Sequence, residues 1–196
     1  METETTSVDL IDVQTLENLV RAALFAAIMG AFAYVAFPNP LSPAPVTLQV
    51  LGVLLAGLLL GAKWGTVAML LYVLAGALGA PVFSMGTAGL GALFSERVGY
   101  ILAFPIAAFI IGILTHGSLD PGSLSDRHPM RLIGAMSAGI VVIYAAGILG
   151  LMLVLSLGVW EAILYGALIF IPGEIAKMAA ALGIVQSDRL AAVQDR

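Results

Sequence analysis

The sequence predicts an all-α integral membrane protein in which six helices cross the membrane. Of its 196 residues, 61% are hydrophobic and only 10% are charged, whereas a soluble domain carries about 25% charged residues. The apolar residues also form segments close to the roughly 20 residues that a spanning helix requires. We expect an acidic segment over 1–18, a single helical domain over 19–192 and a tail over 193–196.

Proline and glycine mark the ends of the predicted helices. The sequence Pro38-Asn39-Pro40 ends the first helix, and Gly61-Ala62-Lys63 separates the second from the third. Pro105 lies inside the fourth helix and predicts a kink there. The six predicted ranges are 19–37, 47–62, 64–80, 98–116, 131–156 and 172–192.

The last apolar region, 158–185, has two interpretations. It could be one helix kinked at Pro172. We favour a helix that begins near Pro172, because proline is suited to the first helical turn, where its missing N–H costs nothing. Glu174 would then lie at the positive end of the helix dipole. The stretch 158–170 is predicted to form an amphipathic cap across one end of the bundle.

The basic residues predict the orientation. With six crossings and a cytoplasmic N-terminus, most of them fall on the cytoplasmic side, as the positive-inside rule requires. Only Arg97 and Lys177 lie on the outer half. We therefore expect both termini in the cytoplasm. The cytoplasmic set is Arg21, Lys63, Arg127, Arg131, Arg189 and Arg196.

Several kinds of chemistry are excluded by what the sequence lacks. Cysteine is absent, which excludes thiolate metal sites and disulfides. His116 and His128 have no ligand partners nearby and are expected in a solvated loop. There is no Gly-Lys-Ser/Thr nucleotide loop and no catalytic constellation. We expect no metal, no cofactor, no enzymatic activity and no nucleic-acid partner.

Glu174 and Lys177 are the strongest candidates for a binding site. They lie in the apolar stretch IPGEIAKMAAALGI, and ionisable residues inside a membrane domain mark function by default. Their spacing of three places them on one helix face. A self-neutralising structural pair is the alternative, although apolar residues could replace such a pair at little loss. An acceptor beside a donor suits a ligand group with N–H and C=O, such as a cyclic urea.

Two loops supply further candidates. Arg97 follows a glycine-rich stretch and could bind a carboxylate bidentately, or it could simply pair with neighbouring Glu96. The stretch 37–52 carries four prolines and predicts a stiff outer loop. After it, Gln49 could hydrogen-bond a buried ligand. Alternatively, Thr47 caps the second helix and Gln49 bonds to another helix.

Aromatic and small residues complete the pattern. The aromatic residues toward the outer ends predict an interfacial belt or the walls of a pocket: Phe37, Phe83, Tyr100, Trp160 and Tyr165. The first helix has two small-xxx-small faces, of the kind that lets helices approach closely. One consists of Ala22, Ala26 and Gly30, the other of Ala23, Ala27 and Ala31. They could pack within the chain, but we predict that Ala22, Ala26 and Gly30 dock onto another membrane subunit.

Four segments together resemble the BioY family, the biotin-specific S components of energy-coupling factor (ECF) transporters. They are PVTLQVLGVLLAGLLLGAKWG (45–65), LLYVLAGALGAPVF (70–83), GYILAFPIAAFIIG (99–112) and IPGEIAKMAAA (171–181). The resemblance implies the S-component fold, with a pocket for biotin near the outer face and beneath the two loops. It also implies a multi-pass protein of the cell membrane, in contact with lipid. Uptake would be energised by two ATPase subunits through a membrane coupling (T) subunit.

The family's Gly-Asp-x-x-Lys motif, whose acid and lysine contact biotin, corresponds here to Glu174 and Lys177. The extra methylene of glutamate shifts the carboxylate by about 1.5 Å, one carbon–carbon bond. Where the family often has Gly-Pro-Thr-Gly, this chain has Ser95-Glu96-Arg97-Val98. Two alternatives remain open, a stand-alone secondary transporter and an S component for another vitamin. The residues predicted to bind biotin are Glu174, Lys177, Arg97, Gln49, Thr47, Phe83, Ser84, Tyr100 and Tyr144.

Overall fold

The computed structural model describes residues 12–124 and 127–194, with side chains as far as residue 187. Within these residues the protein is almost entirely helical. A two-stranded antiparallel hairpin, β1 (Ala36–Phe37) and β2 (Val46–Thr47), flanks the proline-rich loop. Five helical stretches are long and apolar enough to cross a membrane. The helices are α1 (Val13–Tyr34), α2 (Gln49–Ala77), α3 (Val98–His116), α4 (Pro129–Leu155), α5 (Val159–Gly166) and α6 (Ile171–Gln194).

The long helix α2 is broken at Gly61 and folds back on itself. Gly61 has φ 75° and ψ −174°, which is not a helical conformation. A Cβ atom on Gly65 would lie 2.9 Å from the carbonyl oxygen of Ala56, although nine residues of straight helix span about 13 Å. Gln49 donates a hydrogen bond to Tyr72, 23 residues further along the chain. The two halves of α2 therefore lie side by side, and they meet where the sequence separates the second and third predicted helices.

The connection between α3 and α4 contains a buried histidine. His116 is only 5% exposed. Its Nε2 lies 2.9 Å from the carbonyl oxygen of Leu58, and its Nδ1 accepts the backbone N–H of Gly122. The expectation of a solvated loop is therefore wrong for His116, because its ring satisfies a carbonyl group left free where the first half of α2 ends. His128 is exposed and caps α4 by accepting the N–H of Met130.

Helix α1 begins at Val13, six residues earlier than predicted. The carboxylate of Asp12 caps it by accepting hydrogen bonds from the backbone N–H of Thr15 at 2.8 Å and from the Thr15 hydroxyl at 2.6 Å. These bonds lower the pKa of the Asp12 carboxyl from its ordinary value. The first eleven residues of the predicted acidic segment lie outside the described residues, and so does Arg196.

The docking face predicted on α1 packs inside the chain. Ala22 is fully buried, Ala26 is partly buried, and a Cβ atom on Gly30 would lie 3.0 Å from the side chain of Val82. Ala22 and Gly30 are therefore covered by the chain itself, which corrects the prediction for these two residues, while docking through Ala26 stays a prediction. The parallel face, formed by Ala23, Ala27 and Ala31, is exposed.

The C-terminal elements follow the favoured interpretation of Pro172. Helix α6 begins at Ile171, so that Pro172 and Glu174 lie in its first turn. Before it come the short helix α5 and a 3₁₀ turn over Leu168–Phe170. Glu174 and Lys177 are thereby placed at the beginning of α6, beside the starts of α2 and α3.

Candidate functional site

A cavity lies at the end of the bundle where α2, α3 and α6 begin. It contains about 520 Å³ of space free of protein atoms, part of which opens outward. The proline-rich loop, the glycine-rich loop and the middle of α4 complete its walls. Eight of the nine predicted site residues line it: Thr47, Gln49, Ser84, Arg97, Tyr100, Tyr144, Glu174 and Lys177.

The carboxylate of Glu174 has one paired and one unpaired oxygen. Its Oε1 accepts hydrogen bonds from Lys177 Nζ at 2.7 Å and from the Tyr144 hydroxyl at 2.7 Å. Its Oε2 is buried and has no hydrogen-bond partner among the residues that the structure describes. Glu174 and Lys177 are 4% and 6% exposed. Because a buried acceptor without a partner costs about 1–3 kcal/mol, Oε2 is suited to receive a donor from a ligand.

Aromatic rings form one wall beside this carboxylate. Tyr144 meets Tyr100 edge-to-face, with ring centroids 5.8 Å apart, and also lies 5.8 Å from Phe170. The Tyr100 hydroxyl donates to the carbonyl oxygen of Gly166 at 2.7 Å, which ties α3 to the end of α5. The wall is therefore apolar and firmly held, as the pocket for a ring system requires.

Thr47 and Gln49 line the cavity but direct their hydrogen bonds within the protein. The Thr47 hydroxyl donates to Gln49 Oε1 at 3.2 Å and accepts the backbone N–H of Gln49 at 3.3 Å. The side-chain amide of Gln49 donates to the Tyr72 hydroxyl across the α2 hairpin. The predicted bond from Gln49 to another helical segment is therefore present, whereas the N-cap of α2 is Leu48 and Thr47 bonds to Gln49 from the position before it. Both Thr47 and Gln49 also border the cavity.

Arg97 and Ser84 bring unpaired polar atoms to the glycine-rich side. Arg97 Nη2 lies 3.2 Å from Glu96 Oε1, and the arginine side chain is 22% exposed. Arg97 Nε and Ser84 Oγ are buried without a hydrogen-bond partner within the described part of the chain. Arg97 therefore pairs with Glu96, which was one alternative, and keeps a buried donor at a position bordering the cavity.

Phe83 is the predicted site residue that does not line the cavity. It is fully buried and packs edge-to-face on Tyr72, at 5.6 Å between ring centroids. Its ring occupies the space beside Gly76, where a Cβ atom has no room. Phe83 therefore packs against Tyr72, the hydrogen-bond partner of Gln49, and does not reach the cavity. Phe37 and Trp160 are 63% and 69% exposed, as expected for an interfacial belt.

The sequence did not single out several apolar residues that line the cavity. Phe170 immediately precedes the IPGE stretch, and Ile143 precedes Tyr144. The helices are apolar on every side, so periodicity carries no signal that separates a cavity wall from a lipid-facing surface. The residues missed in this way are Ala44, Pro45, Val50, Ile101, Phe104, Ile143 and Phe170.

Nearly the whole sequence matches one known protein family. The model of the BioY family matches residues 2–193. The chain belongs to the BioY family. The resemblance seen in the four sequence segments is thus confirmed over nearly the whole chain.

Individual relatives and one solved structure are also similar to this chain. The biotin transporter BioY of Rhizobium etli is 39% identical over 173 residues, which is 85% of this chain and 90% of the relative. The probable biotin transporter BioY of Pyrococcus horikoshii is 37% identical, with coverage of 84% and 91%. A crystal structure of the S-component for biotin from an ECF-type ABC transporter matches with a TM-score of 0.78 at 23% identity, over 92% of this chain and 94% of that one.

These similarities confirm the S-component fold and a multi-pass membrane protein. The curated BioY relatives are named transporters rather than enzymes, which agrees with the absence of catalytic motifs from the sequence. Their names also indicate the kind of ligand for which the cavity should be tested.

Proposed function

We propose that the protein is the high-affinity biotin-binding S component of an ECF transporter. The observation that carries the proposal is the unpaired Oε2 of Glu174, buried beside Lys177 at a cavity with an aromatic wall. Biotin carries a cyclic urea, which offers N–H donors next to a carbonyl acceptor. In the proposed complex, Glu174 accepts from the urea N–H groups and Lys177 donates to the urea carbonyl. Tyr100, Tyr144 and Phe170 contact the apolar rings.

Arg97 is proposed to bind the carboxylate of the biotin side chain. Its buried Nε has no partner within the described residues, and its guanidinium can form a second bond with a carboxylate in the bidentate geometry that arginine favours. Glu96, which does not line the cavity, competes for the same guanidinium. The urea and the carboxylate would then be held at separate positions, which fixes the direction of the bound ligand.

Calorimetric titration of the purified protein in detergent with biotin, dethiobiotin and thiamine tests the proposal. Biotin should bind tightly, and dethiobiotin, which keeps the cyclic urea, should also bind. Thiamine lacks the urea and should give no heat of binding. Binding of thiamine alone would favour an S component for another vitamin. Absence of any heat with biotin would overturn the proposal.

We further propose six membrane crossings with both termini in the cytoplasm. The reversal of α2 at Gly61 supports two crossings for that helix. Lys63 follows this turn, and Arg127 and Arg131 flank the start of α4, all at the end of the bundle opposite the cavity. The positive-inside rule places that end in the cytoplasm.

The absence of cysteine from the sequence makes a labelling test of this topology straightforward. Leu41→Cys and Ser118→Cys each introduce a single thiol at an exposed position, one beside the cavity and one at the opposite end. An impermeant maleimide added to intact cells should label the first and reach the second only after permeabilisation. The reverse pattern would contradict the orientation.

Energy for uptake is proposed to come from two ATPase subunits through a membrane coupling (T) subunit. The exposed face of Ala23, Ala27 and Ala31 is the surface proposed to meet the coupling subunit, since small residues allow close helix contact in lipid. A stand-alone secondary transporter is the rival. Biotin uptake by this protein alone, abolished by an uncoupler, would favour the rival.

A further inference from the structure

Tyr144 and Lys177 both donate to the same oxygen of Glu174. The Tyr144 hydroxyl reaches Oε1 from α4 at 2.7 Å, and Lys177 Nζ reaches it from one turn further along α6, also at 2.7 Å. Oε2 is left without a partner within the described part of the chain. The two oxygens of one carboxylate are therefore in different states, although nothing in the covalent structure distinguishes them.

The phenol that creates this difference is itself held in place. The Tyr144 ring packs against both Tyr100 and Phe170, with ring centroids 5.8 Å apart in each pair and interplanar angles of 83° and 39°, respectively. Tyr100 is in turn tied to Gly166 by its hydroxyl. The terminal torsion of a glutamate is broad and roughly two-fold. A fixed second donor on Oε1 restricts the range of that torsion, because rotation of the carboxylate would break the bond to Tyr144.

We infer that Tyr144 is a positioning residue that holds Glu174 so that Oε2 remains the acceptor offered to the ligand. Without Tyr144, Lys177 alone would hold the carboxylate, and both oxygens could turn toward the ammonium. The urea would then lose a pre-oriented acceptor and would have to reorganise the pair when it binds. The inference rests on the proposed biotin-binding function for its ligand, whereas the contact between Tyr144 and Glu174 exists in the ligand-free protein.

The length of the glutamate side chain provides a decisive comparison. Glu174→Asp withdraws the carboxylate by about 1.5 Å, which lengthens a 2.7 Å hydrogen bond from Tyr144 beyond bonding distance. Tyr144→Phe should weaken biotin binding about tenfold in the Glu174 background, as expected for a hydrogen bond to a charged group. In the Glu174→Asp background, Tyr144→Phe should weaken biotin binding less than twofold. If the effect of Tyr144→Phe depends on residue 174 in this way, Tyr144 acts through Glu174 and not only by packing in the cavity wall.

The experiment combines calorimetric titration of the four proteins with infrared spectra of the ligand-free protein. The carboxylate stretching band of Glu174, identified by its loss in Glu174→Gln, should move in Tyr144→Phe. It should stay in place in the matched control Tyr165→Phe, which alters a tyrosine on α5 that does not line the cavity. An equal loss of affinity in both backgrounds, or an unmoved band, overturns the inference. A moved band in a protein that does not bind biotin upholds the contact and refutes the proposed function instead.

Discussion

Lys177 Nζ lies 2.7 Å from Glu174 Oε1, in a pair of side chains that are both more than nine-tenths buried. A buried ion pair contributes little to stability compared with apolar residues of similar size, while removal of one partner is costly. This pair is also incomplete, since Glu174 Oε2 has no partner within the described residues. Its burial beside a cavity therefore supports the proposal that the pair binds a ligand.

Replacing Lys177 tests the urea site directly. Lys177→Ala should weaken biotin binding by at least tenfold, or about 1.4 kcal/mol, because the urea carbonyl and Glu174 both lose a donor. Titration in detergent gives the affinity, and the melting temperature shows whether the fold survives. Lys63→Ala, at an exposed lysine far from the cavity, is the matched control. Unchanged affinity in a folded Lys177→Ala protein would refute the assignment.

Replacing Arg97 tests the carboxylate site with a pair of ligands. Arg97→Gln should weaken biotin binding about three- to tenfold, a modest effect because the arginine is partly exposed and its charge is screened. Binding of the primary amide of biotin should not change, because this ligand has no negative charge. Arg21→Gln is the control, at an exposed arginine paired with Glu17. An equal loss for both ligands would mean that Arg97 only orders the glycine-rich loop.

The charged residues of the site could be predicted because charge in an apolar sequence is conspicuous. Glu174 and Lys177 stand out in any hydropathy profile, and the helix spacing places them on one face. Helix ends could also be predicted where glycine or proline marks them, as at Gly61. The apolar residues that line the cavity could not be predicted, because Phe170 and Ile143 lie among many similar residues in the sequence.

Burial that depends on distant contacts also escaped prediction. The polar sequence around His116 suggests a solvated loop, but its ring bonds to Leu58, 58 residues earlier. Helix α1 carries two small-residue faces that differ by one position, or about 100° of helix rotation. Nothing local indicates which of them packs inward. Only the neighbours of Ala22 and Gly30 decide this.

A tryptophan on the exposed face of α1 should separate binding from transport. Ala27→Trp should leave biotin affinity unchanged, because α1 contributes no residue to the cavity lining. It should abolish uptake in cells that contain the partner subunits, because a large ring prevents close helix contact. Ala22→Trp is the informative comparison, since Ala22 is fully buried and its replacement should reduce stability. Normal uptake by Ala27→Trp would remove the docking proposal.

A methyl group at Gly61 should destabilise the reversal of α2 that brings Gln49 to Tyr72. The backbone there has φ 75° and ψ −174°, a region essentially restricted to glycine, and a Cβ atom would lie 2.9 Å from the nitrogen of Pro121. We expect Gly61→Ala to cost about 1–3 kcal/mol, read as a lower melting temperature from the fluorescence of buried Trp64 in detergent. Gly134→Ala is the control, because Gly134 lies within α4 with open space around it. There the change should be neutral or slightly stabilising, since alanine favours helix. Equal melting temperatures for the two variants would show that the reversal of α2 does not depend on glycine.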